Sequence, residues 1–309
     1  MGARHPDRGV RAVTSQRRAE VLLLSITVVW GSTFVITKSL LTESSPLWYT
    51  SLRFFLSALI LFIAVPRRIL SLAKEAIVPG VILGIFLFVG FALQTVGIQY
   101  TTASKSAFFT GMLVVLTPIV HFLSRNLLPV SPKPLKIGNL LGVLCAAFGL
   151  YLLTAPEGGF TIGDGLTLGC AVMFAFYIVY LDVVPQSTDK LQLTFVMFVV
   201  CGLLGAGSAA AFEEFRMNFS VGFITALLYL TILATVVAMA VQNRYQGDTS
   251  PTRAAVIFAM EPVVAGICAW LVRGENIGIV GAIGAAVILC GLMLSEFSDE
   301  IPGLRVALA

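Results

Sequence analysis

Apolar runs that are long enough to cross a lipid bilayer recur along the whole chain, and short polar connections separate them. A membrane-spanning helix needs about 20 apolar residues at a rise of about 1.5 Å per residue. Ten runs meet this requirement, at about residues 20–41, 47–66, 76–99, 104–128, 137–154, 165–185, 191–212, 220–244, 252–272 and 277–296. The pattern predicts an all-α integral membrane protein with ten transmembrane helices and no extramembrane domain.

The composition agrees with a membrane environment. Hydrophobic residues make up 58% of the chain, charged residues only 12%, and the mean hydropathy is +0.95. A soluble protein carries about 25% charged residues, so lipid is the natural solvent for this chain. The net charge of +4 is not concentrated in one patch, which argues against a nucleic-acid partner. The five cysteines lie in apolar stretches without metal-ligand spacing, so we expect neither a metal nor a cofactor.

Both ends of the chain are polar. Residues 1–19 are basic and predict a disordered cytosolic tail, and residues 297–309 predict a second cytosolic tail. A signal peptide is the alternative for the N-terminus, because an apolar run follows it. That run of about 21 residues is long enough to span the bilayer and has no A-x-A cleavage pattern after it, which favours a first membrane helix.

The distribution of Lys and Arg predicts the orientation, because these residues accumulate in cytosolic connections. With a cytosolic N-terminus, 15 of the 20 fall on the inner side and three, Lys105, Arg216 and Arg273, on the outer side. The other two, Lys38 and Arg53, lie within predicted helices. The bias predicts a multi-pass protein of the plasma or inner membrane with both termini in the cytosol.

Internal similarity indicates two related units. The stretches QTVGIQYTTASK (94–105) and QNRYQGDTSPTR (242–253) share a Gln, a Thr and a basic residue at a shift of 148. The acidic residues Glu20 and Asp164, each near the start of a unit, differ by 144.

The last helices of the two units also match. GVLCAAFGLYL (142–152) and GAAVILCGLML (284–294) place glycines at corresponding positions at a shift of 142. We therefore predict one five-helix repeat over residues 20–154 and a second over 163–296. Because five is odd, the second repeat enters the membrane from the opposite side. Such inverted repeats are typical of secondary transporters, whose two halves alternate access to one central site.

Three glycine pairs predict close contacts between helices. They are GVILG (80–84), GNLLG (138–142) and GLTLG (165–169). Glycines one turn apart let backbones approach each other in lipid. The alternative is that glycine is simply common in membrane helices.

Three stretches resemble the EamA-type members of the drug/metabolite transporter superfamily. They are VVWGSTFVITKSLL in the first helix, TTASKSAFFTGMLVVLTPIV in the fourth and TSPTRAAVIFAMEPVVAGICAWLVRGE in the ninth. The resemblance covers about residues 20–296. It implies ten helices, cytosolic termini and a central cavity lined by helices one, three, four, six, eight and nine. It also implies transport, typically export of amino acids, drugs or other metabolites; relatives move nucleotide sugars or triose phosphates. No residue selects among these substrates.

Glu261 lies in the middle of the ninth predicted helix, where a charged side chain is unfavourable by about 2.5–3.5 kcal/mol on insertion scales. It must therefore face the cavity, meet a cation from another helix or be protonated. The functional interpretation is a carboxylate that binds a proton or a substrate amine. The structural interpretation is that Pro262 bends the helix and Glu261 bonds the carbonyls that the bend frees. By depth, His121 is the nearest candidate partner.

Lys105 and Arg253 begin helices four and nine, at the outer and the inner face respectively. The functional interpretation is a cation at each mouth of the cavity, used in turn by an anionic group of the substrate. The alternative is snorkelling of the long side chains at helix ends. Lys38 and Arg53 lie within helices one and two, close enough to the outer ends that we expect them to snorkel as well. A functional role is the alternative, because ionisable groups inside spans often mark a transport path.

Five further candidates fall on helices that the resemblance assigns to the cavity, namely Trp30, Gln94, Phe174, Tyr177 and Gln242. Aromatic faces with a few amides suit small amphiphilic metabolites. Ordinary helix packing is the alternative for each aromatic residue. Gln94 and Gln242 are stronger candidates, because they match between the repeats. With Lys105, Arg253 and Glu261 these residues form the predicted substrate-binding set.

The leading functional hypothesis is a secondary transporter that exports small metabolites such as amino acids or drugs by alternating access. Its partners would be a small-molecule substrate and the lipid bilayer, with protons as the candidate coupling ion, in a monomer or homodimer. An importer or exchanger of anionic metabolites, such as sugar phosphates or carboxylates, is the alternative within this class. The sequence names neither the substrate nor the direction.

A membrane-embedded enzyme is a second class of function. The chain has no G-x-S-x-G, no H-E-x-x-H and no paired intramembrane carboxylates, and TIGDG (161–165) lacks the first glycine of a G-x-G-D motif. It also has no phosphate-binding G-x-x-x-x-G-K-[ST] motif. We therefore expect no catalytic activity. A channel or scaffold would need a filter loop or a large soluble domain, and neither is evident.

Overall fold

The computed structural model describes residues 6–125, 136–153, 160–273 and 278–296, together with Ile301 and Val306. The helices are α1 (Pro6–Leu40), α2 (Pro46–Ala64), α3 (Pro66–Leu70), α4 (Lys74–Gly97), α5 (Ala103–Gly111), α6 (Leu113–Ser124), α7 (Ile137–Leu153), α8 (Ile162–Val183), α9 (Lys190–Phe212), α10 (Val221–Thr231), α11 (Ala238–Tyr245), α12 (Pro251–Phe258), α13 (Glu261–Arg273) and α14 (Gly278–Glu296). A π-helical segment, Ile232–Val237, joins α10 to α11, and a 3₁₀ turn, Gln246–Asp248, follows α11.

Nine helical segments of the described chain are long and apolar enough to cross a membrane, and a further apolar helix, Ile137–Leu152, is shorter. The fourth predicted span comprises α5 and α6, the eighth comprises α10, the π segment and α11, and the ninth comprises α12 and α13. The all-α membrane fold is therefore confirmed, while the count of ten spans stays a prediction.

The first helix extends further toward the N-terminus than the sequence predicts. It begins at Pro6, within the stretch 1–19 for which we expect a disordered tail. Five Arg and three Ala lie in this stretch and favour helix. Gln16 Nε2 also donates to Glu20 Oε1 one turn later, at 2.9 Å. The apolar helix therefore continues back into polar sequence.

The fourth and ninth predicted spans are each interrupted at their centres. The first break falls at Met112, and the second at Ala259 and Met260. Met112 and Met260 correspond under the shift of 148. The breaks also touch, since a Cβ on Gly111 would lie 2.8 Å from Pro262 Cγ. Interrupted helices of this kind build the central sites of many transporters.

The last helices of the repeats, α7 and α14, pack on each other through the glycines that the repeats share. A Cβ on Gly149 would lie 2.6 Å from the carbonyl oxygen of Gly284, and a Cβ on Gly142 would lie 2.8 Å from that of Gly291. These four glycines correspond pairwise under the shift of 142. The contact therefore joins equivalent helices of the two repeats.

The other two glycine motifs differ in their use. The GVILG motif is confirmed as a close contact, because a Cβ on Gly80 would lie 2.7 Å from the Cβ of Val196 on α9. In the GLTLG motif, Gly165 has only ordinary contacts. The close approach occurs two residues earlier, where a Cβ on Gly163 would lie 2.5 Å from the carbonyl oxygen of Gly97. Both close contacts join α4 to helices of the other repeat.

Matching caps start α5 and α12. The Thr102 hydroxyl accepts a hydrogen bond from the backbone N–H of Lys105 at 3.1 Å, and the Ser250 hydroxyl accepts one from that of Arg253 at 3.2 Å. Such caps satisfy donors that a helix start leaves free. They also fix Lys105 and Arg253 in the first turns of equivalent helices.

Candidate functional site

A cavity with an empty volume of about 560 Å³ lies where helices of both repeats meet. Helix α2 contributes to its wall, in addition to the helices that the family resemblance implies. Its lining side chains are Trp30, Thr33, Arg53, Leu87, Phe91, Gln94, Leu113, Phe174, Tyr177, Ile178, Met239, Gln242, Phe258 and Glu261. The wall thus includes every predicted substrate-binding residue except Lys105 and Arg253.

Glu261 is the first residue of α13, at the break in the ninth span. It lines the cavity and is 8% exposed. No described residue places a cation within 4.0 Å of its carboxylate or donates a hydrogen bond to it. The pairing expected with His121 is not formed, because His121 lies on α6 outside the cavity wall. The carboxyl group is therefore available to a proton or to a ligand.

Gln94 on α4 and Gln242 on α11, which match between the repeats, both line the cavity. Gln94 Nε2 donates to Thr110 Oγ1 at 3.1 Å. Gln242 Nε2 donates to Gln246 Oε1 at 2.9 Å, and Gln246 Nε2 donates to the carbonyl of Ile178 at 2.8 Å. This chain fixes both amide orientations. It leaves the buried Gln242 Oε1 as an acceptor with no partner among the described residues.

The predicted aromatic residues form much of the remaining wall. Trp30 packs edge-to-face on Phe258, with ring centroids 5.5 Å apart. Phe174 makes a similar contact with another lining phenylalanine, also at 5.5 Å. Tyr177 is buried, and its hydroxyl donates to the side chain of Asn243. The wall therefore offers flat apolar surfaces beside a few polar groups.

Arg53 on α2 is a charged cavity residue that the predicted substrate-binding set leaves out. We expect it to snorkel outward from its position, yet it is only 3% exposed. Its Nε donates to Thr235 Oγ1 at 2.7 Å, one terminal nitrogen donates to the Tyr49 hydroxyl at 3.2 Å, and its guanidinium lies 5.0 Å from the Phe91 ring centroid. These contacts hold the side chain inward, so the expectation of snorkelling is wrong.

The π-helical segment positions both Arg53 and Trp30. Within this segment, the carbonyl of Ala234 accepts a hydrogen bond from Trp30 Nε1 at 2.9 Å. The next residue, Thr235, accepts from Arg53. Single π turns inside α-helices are frequent at functional sites. No hydrophobic pattern in the sequence marks this segment, which explains why the two contacts could not be foreseen.

Lys105 does not line the cavity and belongs to a polar cluster at the N-terminal end of α5, which the predicted orientation places at the outer face. Its Nζ lies 2.9 Å from Asp164 Oδ2, and the Thr101 hydroxyl donates to Asp164 Oδ1 at 2.5 Å. Asp164 is fully buried and also forms a capping box with Thr161 at the start of α8. We call Thr101, Lys105 and Asp164 the outer cluster.

Arg253 belongs to a second cluster at the N-terminal end of α12, which the predicted orientation places at the inner face. Its Nε lies 3.3 Å from Glu20 Oε1, and the Thr249 hydroxyl donates to the same oxygen at 3.0 Å. The Arg253 and Glu20 side chains are 8% and 4% exposed. We call Glu20, Thr249 and Arg253 the inner cluster.

The two clusters are equivalent under the repeat. Their threonines are 148 residues apart, their basic residues are also 148 apart, and their carboxylates are 144 apart. Each cluster joins the broken helix of one repeat to the first helix of the other. The cations predicted at the two mouths are thus ion-paired across the repeat interface and do not line the cavity.

Lys38 also departs from the expected snorkelling. Its Nζ donates to the carbonyl of Ile98 at 3.0 Å and to the carbonyl of Thr101. It therefore holds the turn between α4 and α5 and supports the outer cluster through the backbone of Thr101.

Comparison with protein families agrees with the repeat. A model described as "EamA-like transporter family" matches the chain twice, over residues 17–155 and 161–297. The matches coincide closely with the repeats predicted over 20–154 and 163–296.

Several proteins are similar along almost their whole length. An "Uncharacterized transporter" of Archaeoglobus fulgidus is 32% identical, covering 89% of this chain and 85% of its own. A "Probable amino-acid metabolite efflux pump" of Escherichia coli is 27% identical, with 91% and 95% covered. An "S-adenosylmethionine/S-adenosylhomocysteine transporter" of Chlamydia muridarum is 23% identical, with 87% and 89% covered. One solved crystal structure shares the fold, with a TM-score of 0.75 at 17% identity, covering 91% of this chain and 96% of the other.

Proposed function

Because the chain belongs to the EamA-like transporter family, we propose that it is a secondary transporter of the plasma or inner membrane that exports small metabolites such as amino acids or drugs. Both termini lie in the cytosol in this proposal. The observation that carries it is the cavity between the repeats, with an equivalent ion-pair cluster toward each face. The lining residues come from one chain, and the protein acts as a monomer or a homodimer in this proposal.

The two clusters suit alternating access to the cavity. Parting the outer cluster while the inner cluster holds opens the cavity outward, and the reverse opens it inward. Parting a cluster gives up the attraction between its two buried charges. Parting both clusters together is therefore much less favourable than parting one. The substrate crosses without a continuous pore.

Glu261 supplies a site for coupling to protons. Acidic residues inside membrane helices serve as proton sites in pumps and transporters. Glu261 lies on the cavity wall at a helix break, where a change from the inward to the outward state alters its surroundings. Proton uptake on one side and release on the other then drives export.

The names of two similar proteins support a substrate with an amino-acid part. One is an efflux pump for amino-acid metabolites, and the other transports S-adenosylmethionine and S-adenosylhomocysteine, which are amino-acid derivatives. Charged groups beside aromatic walls, as in this cavity, suit such molecules.

Lys105→Ala and Arg253→Ala test the roles of the clusters. Each should weaken transport in reconstituted vesicles while expression stays intact, because each removes the ion-pair partner of a buried carboxylate and loosens one gate. The double exchange Glu20→Arg with Arg253→Glu restores the inner pair with reversed polarity. It should recover part of the transport, since Glu20 lies inside α1 and caps no helix. Wild-type transport by both alanine variants would overturn the gating roles.

An efflux screen tests the function as a whole. The protein is overproduced in a host that is challenged with amino acids, their analogues and common drugs. We expect lower accumulation of, and resistance to, at least one of these classes, and loss of the effect with Arg253→Ala. Equal accumulation in producing and control cells for every compound contradicts export.

Import or exchange of anionic metabolites is the second candidate function. One observation favours it, namely a buried cation, Arg53, on the cavity wall with no carboxylate within 4.0 Å among the described residues. Inverted vesicles loaded with radiolabelled carboxylates or sugar phosphates distinguish the two directions.

A further inference from the structure

Opposite charges occupy separate positions on one cavity wall. We propose that Arg53 and Glu261 together select a small zwitterion with an apolar part, whose anionic group binds Arg53 and whose ammonium group binds Glu261. This inference rests on the proposed transport function and specifies its substrate class. It makes Arg53, on a helix outside the set that the family resemblance implies for the cavity, a residue that determines specificity.

Arg53 has the properties of an anion site. Its guanidinium carries five N–H donors, and the described residues use two of them, through Thr235 and Tyr49. Both partners are neutral hydroxyl groups, so the buried positive charge has no counter-ion. An uncompensated buried charge is strongly unfavourable. A carboxylate from the cavity supplies the missing charge and can accept two parallel hydrogen bonds from the remaining donors.

Neighbouring side chains fix the position of the Arg53 guanidinium. Thr235, its hydrogen-bond partner, lies in the π-helical segment and donates its own hydroxyl hydrogen to the carbonyl of Leu230 at 2.8 Å. The hydroxyl oxygen is thereby oriented as an acceptor for Arg53. The Phe91 ring, 5.0 Å from the guanidinium, packs against the same side chain. Such support fixes the direction from which an anion can approach.

Glu261 provides the complementary site. Its carboxyl group has no cation within 4.0 Å among the described residues, and Arg53 itself lies beyond that distance. An ammonium group from the cavity is therefore its natural partner. The unpartnered acceptor Gln242 Oε1 lies on the same wall and can take a further N–H of the ligand.

Binding of an ammonium group requires the ionised form of Glu261, so the substrate and a proton exclude each other there. One proton leaves the carboxyl group as one ammonium arrives, which produces exchange of substrate for proton. The charged and titratable groups that face this region are Arg53 from α2 and Cys170 and Tyr177 from α8. The packed parts of α1 and α5 contribute no such group among the described residues.

The rest of the wall sets the apolar part of the substrate. Trp30, Phe91, Phe174 and Phe258 present aromatic faces. A lipophilic cation without an anionic group leaves the charge of Arg53 without a counter-ion. An anion without an amine leaves the carboxylate of Glu261 without a counter-ion. Both classes should bind more weakly than the zwitterion.

The test uses ligands that share one apolar part and differ in charge. Purified full-length protein in lipid nanodiscs is titrated with phenylalanine, phenethylamine and 3-phenylpropionate, and Kd is obtained from thermal stabilisation. Leucine and tryptophan, with their matching amines and acids, cover other sizes. We expect each zwitterion to bind at least about tenfold more tightly than its singly charged analogues, because one hydrogen bond to a charged group is worth about that factor.

Variants assign the two ends of the ligand. In Arg53→Gln, the preference for phenylalanine over phenethylamine should disappear, while the preference over 3-phenylpropionate remains. In Glu261→Gln, the preference for phenylalanine over 3-phenylpropionate should disappear, while the preference over phenethylamine remains. Arg244→Gln, which changes an exposed cation outside the cavity, should keep both preferences.

Three outcomes overturn the inference. They are amines that bind wild-type protein as tightly as the zwitterions, no binding by any zwitterion, and unchanged preferences in Arg53→Gln. If the variants do not fold, the wild-type panel alone decides. Efflux of a lipophilic cation with no zwitterion binding refutes this inference but leaves the transport function standing, whereas the absence of any transport refutes the function itself.

Discussion

Glu261 has a structural position in the fold, and its role in transport is a proposal that can be tested separately. Its position at the start of α13 belongs to the helix break, while its carboxyl group lines the cavity without a cation within 4.0 Å among the described residues. The break with Pro262 is a structural feature, and the carboxyl group is a chemical one. The two can be separated by variants that keep the shape and remove the charge.

Glu261→Gln should fold, because shape and hydrogen-bonding capacity are kept, and should lose gradient-driven transport, because an amide cannot take up and release a proton. Exchange of substrate for substrate should be retained in part. Vesicles with and without an imposed pH gradient measure both activities. Glu261→Ala distinguishes the coupling role from a purely structural role. If the residue is only structural, Glu261→Ala expresses poorly and Glu261→Gln transports normally. Unchanged gradient-driven transport by Glu261→Gln rules out the coupling role.

Glu213, in the connection between α9 and α10, predicts a pH effect on stability. Burial raises the pKa of its carboxyl group, and hydrogen bonds from the backbone N–H groups of Leu47 and Trp48 only partly offset this. A carboxyl group with a raised pKa in the folded state contributes stability fully below its ordinary pKa of 4.5 and loses that contribution as the pH rises through the raised value.

Glu213→Gln, which resembles the neutral form, should therefore match wild type in melting temperature near pH 4 and exceed it at pH 7. The neighbouring Glu214→Gln is the control, because Glu214 is exposed. If Glu213→Gln melts below wild type at pH 7, the ionised carboxylate stabilises the protein, and the predicted direction of the pH effect is wrong.

Arg53 marks the limit of residue-scale prediction. The sequence places it within a helix near the outer end, and depth alone is compatible with either snorkelling or burial. Its direction depends on Tyr49, one turn earlier on α2, and on Thr235 and Phe91 from two other elements. Helical periodicity carries no information on the partners from other elements. Trp30 and Gln242, by contrast, could be assigned to the cavity because the family resemblance names their helices.

At the scale of helices, equivalent elements of the two repeats carry equivalent features. The breaks at Met112 and Met260 and the caps at Thr102 and Ser250 correspond pairwise. The repeat itself was visible in the sequence from a few matched residues. The breaks were not, because the apolar pattern runs through them without interruption and only Pro262 hints at the second.

The contact between α7 and α14 predicts unequal effects of two alanine substitutions. A Cβ on Gly149 would lie 2.6 Å from the backbone carbonyl of Gly284, which cannot turn aside. Gly149→Ala should therefore destabilise the protein by about 1–3 kcal/mol through overpacking. Gly207→Ala has nothing within 4 Å of the new Cβ and should be neutral or stabilising, because alanine favours helix by about 1 kcal/mol.

Thermal unfolding of the two purified variants measures this difference. A melting temperature of Gly149→Ala equal to or above that of Gly207→Ala would show that α7 and α14 do not pack in this way.

The topology is the first property of the whole molecule that can be tested. The bias of Lys and Arg predicts cytosolic termini, and an odd number of helices per repeat predicts opposite orientations of the two halves. Reporter fusions after Arg216 and after Glu157, which lies outside the described residues, should both report the outer side. A cytosolic signal at either position contradicts the orientation and the inverted repeat together.

At the scale of the whole molecule, the sequence predicts the shared cavity better than it predicts the two ion-pair clusters. Sequence similarity between the halves indicates one cavity shared by two repeats, and six of the predicted residues lie on its wall. The sequence does not predict the pairing of Lys105 with Asp164 or of Arg253 with Glu20, although it matches these residues between the two repeats. Each pair crosses from one repeat to the other, and similarity between repeats does not reveal the contacts between them.

Labelling of the cavity from each side of the membrane tests the central claim, that the two clusters are alternating gates around one cavity. Thr33→Cys places a thiol on the cavity wall in a background where the five native cysteines are replaced by alanine. A membrane-impermeant maleimide is applied outside or inside oriented vesicles. With Lys105→Met, labelling from outside should rise and labelling from inside should fall, because loss of the outer ion pair favours the outward-open state. With Arg253→Met the changes should be opposite. Labelling that rises from both sides with either variant, or changes with neither, contradicts the account.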